Sequence, residues 1–250
     1  SISKYINRIC KVFKESGLGL FGCYLAGSVV LLVLFGLLSY LSDVLEEKYN
    51  LHGIIKGVVL AAPVLAMSTT SFLSGKYLQK NQKKMKTFIV SGLFIVSLSL
   101  AAVSLINSNV AFFAGTFIMG IGTGLVLPAV NTLVTSSCSL EERGGITALY
   151  GSVRFFGVAA GPPLFSWLLE QSKNVMFYSG AGLTLLSGVI AVFVINEKKL
   201  MSGSKKKEKT QEPTAEDLAK LVNAGILKKG EQNLMAEYVG ATKGVFKKKK

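Results

Sequence analysis

Apolar residues in this chain come in long runs rather than in alternation. Six stretches, roughly 18–42, 54–75, 88–107, 110–135, 147–169 and 174–195, each hold about 20 or more residues with few charges. A helix rises about 1.5 Å per residue, so each stretch is long enough to cross a hydrocarbon core of about 30 Å. Membrane strands would be about ten residues long and would alternate apolar with polar. The pattern predicts an all-α membrane protein with six transmembrane helices.

The flanks divide differently. Residues 1–17 place Ile2, Tyr5, Ile6, Ile9, Val12 and Phe13 on one stripe with basic residues between. This reads as an amphipathic connector helix at a membrane surface that leads into the six-span region, 18–197. Residues 198–250 form a lysine-rich tail. Within it Thr214 and Asp217 suggest a capping box, and Gly225 and Gly230 act as breaks, enough for two short helices. The chain opens on Ser1 with no initiating methionine, so an upstream portion is expected. The first span is too long for the apolar core of a cleavable signal peptide.

Composition sharpens this reading. Half of the residues are hydrophobic and 17% are charged, with a mean hydropathy of +0.48. The net charge of +14 raises the question of nucleic acid, but its placement points to topology. Lys4, Arg8, Lys11 and Lys14 precede the first span, five lysines between 76 and 86 follow the second, Arg143 follows the fourth, and the tail follows the sixth. The opposite connections are poor in Lys and Arg. This is the positive-inside pattern. It places both termini in the cytoplasm of an integral membrane protein, expected in a bacterial cell membrane, with no nucleic-acid partner. The tail is then either a solvated extension or a segment drawn to anionic inner-leaflet lipid.

The inventory of reactive groups is thin. Cys10, Cys23 and Cys138 form no CxxC pair, and His52 is the single histidine, so neither a metal site nor a disulfide is expected. No phosphate loop, nucleotide fingerprint or nucleophile elbow is present. The chain is read as binding no cofactor and as not being an enzyme.

The sharpest anomaly is the stretch 150–165, "YGSVRFFGVAAGPPLF". Arg154 lies eleven residues beyond Arg143, about 16 Å along a helix and near mid-membrane. A central arginine costs at least about 2.5–3.5 kcal/mol, so it must face the bundle interior. The six predicted spans contain no Asp or Glu, which leaves Arg154 no carboxylate partner at that depth. Pro162 and Pro163 cannot donate to the carbonyls of Val158 and Ala159 and are expected to bend the helix. Gly157 and Gly161 give a smooth face for a neighbouring helix. In the fourth span Gly120, Gly122 and Gly124 read as packing surface, and Asn131 either as interhelical glue or as a cavity-lining group.

These residues resemble the major facilitator superfamily. "GVAAGPP" (157–163) is similar to that family's antiporter motif, Gly-x-x-x-Gly-Pro, with Gly157, Gly161 and Pro162 at the matching positions. "GKYLQKNQKKM" (75–85) resembles its cytoplasmic motif, with Gly75, Lys80, Lys83 and Lys84 at the glycine and basic positions; Gln79 replaces the aspartate, which counts against a strong gating role. "EERGGITALYGSVRFFG" (141–157) looks like the stretch after helix ten in drug:proton antiporters. The resemblance implies the carboxy-terminal half of a twelve-helix transporter that rocks around a midplane site. It further implies a small-molecule substrate, protons as coupling ion carried on carboxylates of the other half, and efflux of a drug or metabolite. Arg154, Tyr150, Phe155 and Asn131 are then the candidate substrate-binding residues, with an anionic or zwitterionic substrate favoured by Arg154. The rival reading is a half-size structural or regulatory membrane protein that dimerises or joins another subunit.

Overall fold

A computed structural model describes residues 2–106, 108–138, 140–197 and 200, with side chains from Gly17 onward except at 140 and 141. The tail beyond 200, with its two expected short helices and its lysine runs, lies outside the described residues. The described residues form six long α-helices and no strand: α1 Ile2–Glu47, α2 Gly53–Lys80, α3 Met85–Ile106, α4 Asn109–Ser136, α5 Leu140–Gln171 and α6 Lys173–Val194. The connector expected at 1–17 continues into α1 without a break. Five of the six helices, all but α5, are long and apolar enough to cross a membrane. In α5 the long apolar character is diluted by Arg154, by Pro162 and Pro163, and by its glycines.

Short connections force neighbouring helices to run antiparallel. Between α1 and α2 the chain reverses over Asn50 and Gly53, both in the left-handed region at φ 52° and 58°. Gly53 can adopt that geometry without the penalty a Cβ would bring. A single 3-10 turn, Gln82–Lys84, joins α2 to α3. Only Ser172 separates α5 from α6, and its side chain accepts a bond from the Val175 N–H at 3.1 Å, satisfying one of the four free donors of the first turn.

The packing order is not the chain order. α1 lies against α5, α6 and α4; α3 sits between α4 and α6; α2 leans mainly on α4. Glycines set the close approaches. A Cβ on Gly92 would stand 2.6 Å from the Gly122 carbonyl oxygen, and one on Gly122 would stand 2.8 Å from that of Gly92, so α3 and α4 touch backbone to backbone. Gly120 and Gly124 face α2 instead, against the carbonyls of Pro63 and Met67. Serine hydroxyls bridge the same seams. Ser97 donates to the Ala181 carbonyl at 2.8 Å, Ser99 to Gly115 at 2.6 Å, and Ser74 to Gly124 at 3.0 Å. Such bonds are worth about 0.6 kcal/mol each in a membrane, so they set register more than they set stability.

The outer surface is apolar: Ile54, Phe72, Leu98, Val110, Phe156 and Phe193 are all largely exposed. That is the surface expected of a bundle solvated by lipid. Past α6 the chain folds back under α1, burying Ile195 and Leu200, with Leu200 beside Gly19. Glu197 accepts the Lys86 backbone N–H at 3.1 Å, and Lys86 Nζ donates to the Val192 carbonyl.

Candidate functional site

The stretch that the sequence singles out forms the α1–α5 seam. Along α5 the buried positions Ile146, Tyr150, Gly157, Gly161 and Phe165 recur at intervals of four or seven residues, one or two helical turns, and turn toward α1. A Cβ on Gly157 would stand 2.5 Å from the Ser28 carbonyl oxygen; one on Gly161 would collide with the Leu32 carbonyl. α1 answers in kind. Gly27 accommodates the Tyr150 ring and Gly36 the Phe165 ring, each leaving no room for a side chain. Two bonds pin the register: the Tyr24 hydroxyl donates to the Ile146 carbonyl at 2.7 Å, and Ser28 Oγ to the Val153 carbonyl at 3.1 Å.

Arg154 stands at the edge of this seam, half-buried. Its guanidinium carbon lies 5.6 Å from the Tyr150 ring centroid and 5.2 Å from that of Phe155. Cation–π contacts contribute about 0.5–2 kcal/mol, which offsets part of the cost of half-burying the charge. Arg154 Nε is buried with no hydrogen-bond partner, and the Tyr150 hydroxyl beside it interacts with the Arg154 side chain. Among the described residues no carboxylate forms an ion pair with Arg154. The arrangement offers a fixed cation and an unpaired N–H to a group that brings its own acceptors.

The other predicted residues fall elsewhere. Phe155 is 62% exposed, touching Arg154 from the outward face of α5. Asn131 is half-buried on α4, and no side-chain hydrogen bond among the described residues joins it to the Arg154 group. Tyr150 is buried against Gly27 and Tyr24, whose ring centroid lies 5.4 Å away, so its ring serves the seam while its hydroxyl interacts with Arg154. Pro162 and Pro163 lie inside α5 and do not end it. Pro162 borders an open apolar groove of about 460 Å³ with Phe35, Leu38 and Ser39 of α1 and Leu60, Ala61 and Val64 of α2. Of the loop residues, Gly75 lies on α2 near Pro128 of α4. Lys80, Lys83 and Lys84 are exposed, and Lys84 Nζ bonds the Tyr77 hydroxyl at 2.8 Å.

Tyr24, Gly27, Ser28 and Gly36 were not singled out by sequence reasoning. Nothing in their spacing distinguishes them from other small and aromatic residues of an apolar span; only their partners on α5 do.

The pattern of the Major Facilitator Superfamily matches residues 17–242. The chain belongs to that family. It is 37% identical over 199 residues to the bacillibactin exporter of Bacillus subtilis (strain 168), covering 80% of this chain and 50% of the relative. It is 25% identical over 206 residues to the proton-coupled antiporter flippase LtaA of Staphylococcus aureus (strain USA300), covering 79% and 50%. The corresponding LtaA of Staphylococcus haemolyticus (strain JCSC1435) is 26% identical over 199 residues, covering 77% and 47%. The chain thus spans about half the length of these relatives. Family membership identifies an integral membrane protein of a transporter class, not an enzyme, and the antiporter-like features of its sequence agree with exporters among its relatives.

Proposed function

We propose that this chain is the carboxy-terminal six-helix half of a proton-coupled exporter, with α5 crossing the membrane as the fifth of six spans. The observation that carries the reading is Arg154, whose Nε is buried with no hydrogen-bond partner beside the Tyr150 hydroxyl, in a bundle whose predicted spans lack carboxylates. An arginine held at such a cost without a carboxylate partner is arranged for a ligand or for a group of the other half. The substrate is accordingly a small molecule with an anionic or zwitterionic group, and the similarity to a bacillibactin exporter makes bacillibactin the first compound to test. Arg154, Tyr150, Phe155 and Asn131 line its path. Gly157, Gly161 and Pro162 let α5 and α1 move as a close-packed pair beside the apolar groove. Gly75, Lys80, Lys83 and Lys84 form the cytoplasmic connection. Protons are carried by carboxylates of the amino-terminal half.

In this reading residues 1–17 connect the two halves on the cytoplasmic face, 18–197 are the membrane half, and 198–250 form a basic cytoplasmic tail beside anionic lipid. The test is efflux of bacillibactin from cells expressing the complete transporter. Arg154→Ala is expected to abolish or redirect efflux while the protein stays inserted, and Arg154→Lys to restore little of it, because an ammonium lacks the planar fork. Normal efflux by Arg154→Ala would refute the assignment.

A further inference from the structure

At the opposite end of the bundle from the lysine-rich α2–α3 connection lies a small polar hollow of about 100 Å³. Tyr40 and Lys48 of the α1 end, Ser108, Asn109 and Phe112 at the start of α4, and Lys173 at the start of α6 line it. Tyr40 is sixteen residues along α1 from Tyr24, about 24 Å from the seam at Tyr150, so the hollow is separate from the site above.

Positive charge is scarce at this end. Its lysines are Lys48, Lys56 and Lys173. Lys56 is neutralised by Glu46, with Nζ and Oε2 2.5 Å apart. The other two both border the hollow, and among the described residues neither lies within ion-pair distance of a carboxylate. Asp43, Glu47 and Glu170, their neighbours in sequence, do not line it. Lys48 Nζ donates to Asn109 Oδ1 at 2.8 Å and lies 5.6 Å from the Tyr49 ring centroid, which holds in place an ammonium with two further N–H donors. Lys173 Nζ rests 5.9 Å from the Phe177 ring centroid. Lys173 is also the first residue of α6, where the helix dipole disfavours a cation, so helix stability does not account for it. The volume is about that of three waters, enough for one tetrahedral oxyanion.

We infer that Lys48, Lys173 and Asn109 form a binding site for a phosphate group at this end of the bundle. Two lysines line a pocket of the right size, and lysine holds phosphate as a point charge. The end of a membrane helix bundle lies at headgroup depth, so the phosphate comes either from an anionic lipid or from free solution. The inference does not depend on the export reading.

The experiment uses the whole chain purified in detergent, with two probes. Inorganic phosphate is titrated by calorimetry, and phosphatidylglycerol retained from mixed micelles with phosphatidylcholine is counted by native mass spectrometry. The double variant Lys48→Gln/Lys173→Gln is expected to bind at least tenfold more weakly in one or both arms. Lys56→Gln, which alters a lysine already paired, is expected to stay within twofold of the unaltered chain. Loss confined to the phosphatidylglycerol arm assigns the site to a headgroup; loss confined to the phosphate arm assigns it to the free ion. Equal binding by the double variant in both arms, no binding by the unaltered chain, or an equal loss in Lys56→Gln would each overturn the proposal.

Discussion

Gly157→Ala tests the α1–α5 seam with a single methyl group. A Cβ at this position would stand 2.5 Å from the Ser28 carbonyl oxygen and 2.6 Å from Ser28 Oγ, whereas real Cβ contacts essentially never fall below 3.0 Å. The helices must therefore separate by about 0.5 Å, and because one obstacle is backbone, a rotamer change cannot relieve it. Overpacking of this kind costs about 1–3 kcal/mol. The shift also strains the bonds from Ser28 to Val153 and from Tyr24 to Ile146, each worth about 0.6 kcal/mol. The expected loss is about 2–4 kcal/mol. Gly151 on the same helix supplies the control, since a Cβ there meets nothing within 4 Å. Gly151→Ala should be neutral or stabilising by about 0.5–1 kcal/mol through helix propensity. The measurement is reversible unfolding in mixed micelles, followed by the fluorescence of Trp167, the single tryptophan, which also lies on α5. If Gly157→Ala is no less stable than Gly151→Ala, the seam is not close-packed and the reasoning fails.

Two further outcomes follow from the same architecture. With the three native cysteines replaced by serine, Gln82→Cys should react with an impermeant thiol reagent only from the cytoplasmic side, because lysines crowd that connection; labelling from outside alone would reverse the topology. The chain reconstituted by itself in liposomes should show negligible bacillibactin movement under an imposed pH gradient, since alternating access needs two halves. Robust gradient-driven transport would instead favour a self-sufficient dimer.

The helices and their approximate ends were legible in the sequence because membrane helices are local objects. Each satisfies its own backbone hydrogen bonds and needs only a long enough apolar run, so length and hydropathy suffice for five of the six; α5, diluted by Arg154, prolines and glycines, falls short of that measure. The contacts of Arg154 with Tyr150 and Phe155 were also within reach, as both neighbours lie on its own helix, four residues before and one after. Partner choice was not legible. Gly120, Gly122 and Gly124 look alike in sequence, yet Gly122 meets α3 while Gly120 and Gly124 meet α2. Gly151 and Gly182 meet nothing, whereas Gly157 and Gly161 carry a seam. The hollow at Lys48 and Lys173 joins residues 125 positions apart. A glycine or a lysine specifies what it permits, close approach or charge, but not which surface arrives to use it. That depends on how six helices of nearly uniform apolarity sort their faces, through backbone contact and buried hydroxyls that exist only once the bundle has assembled.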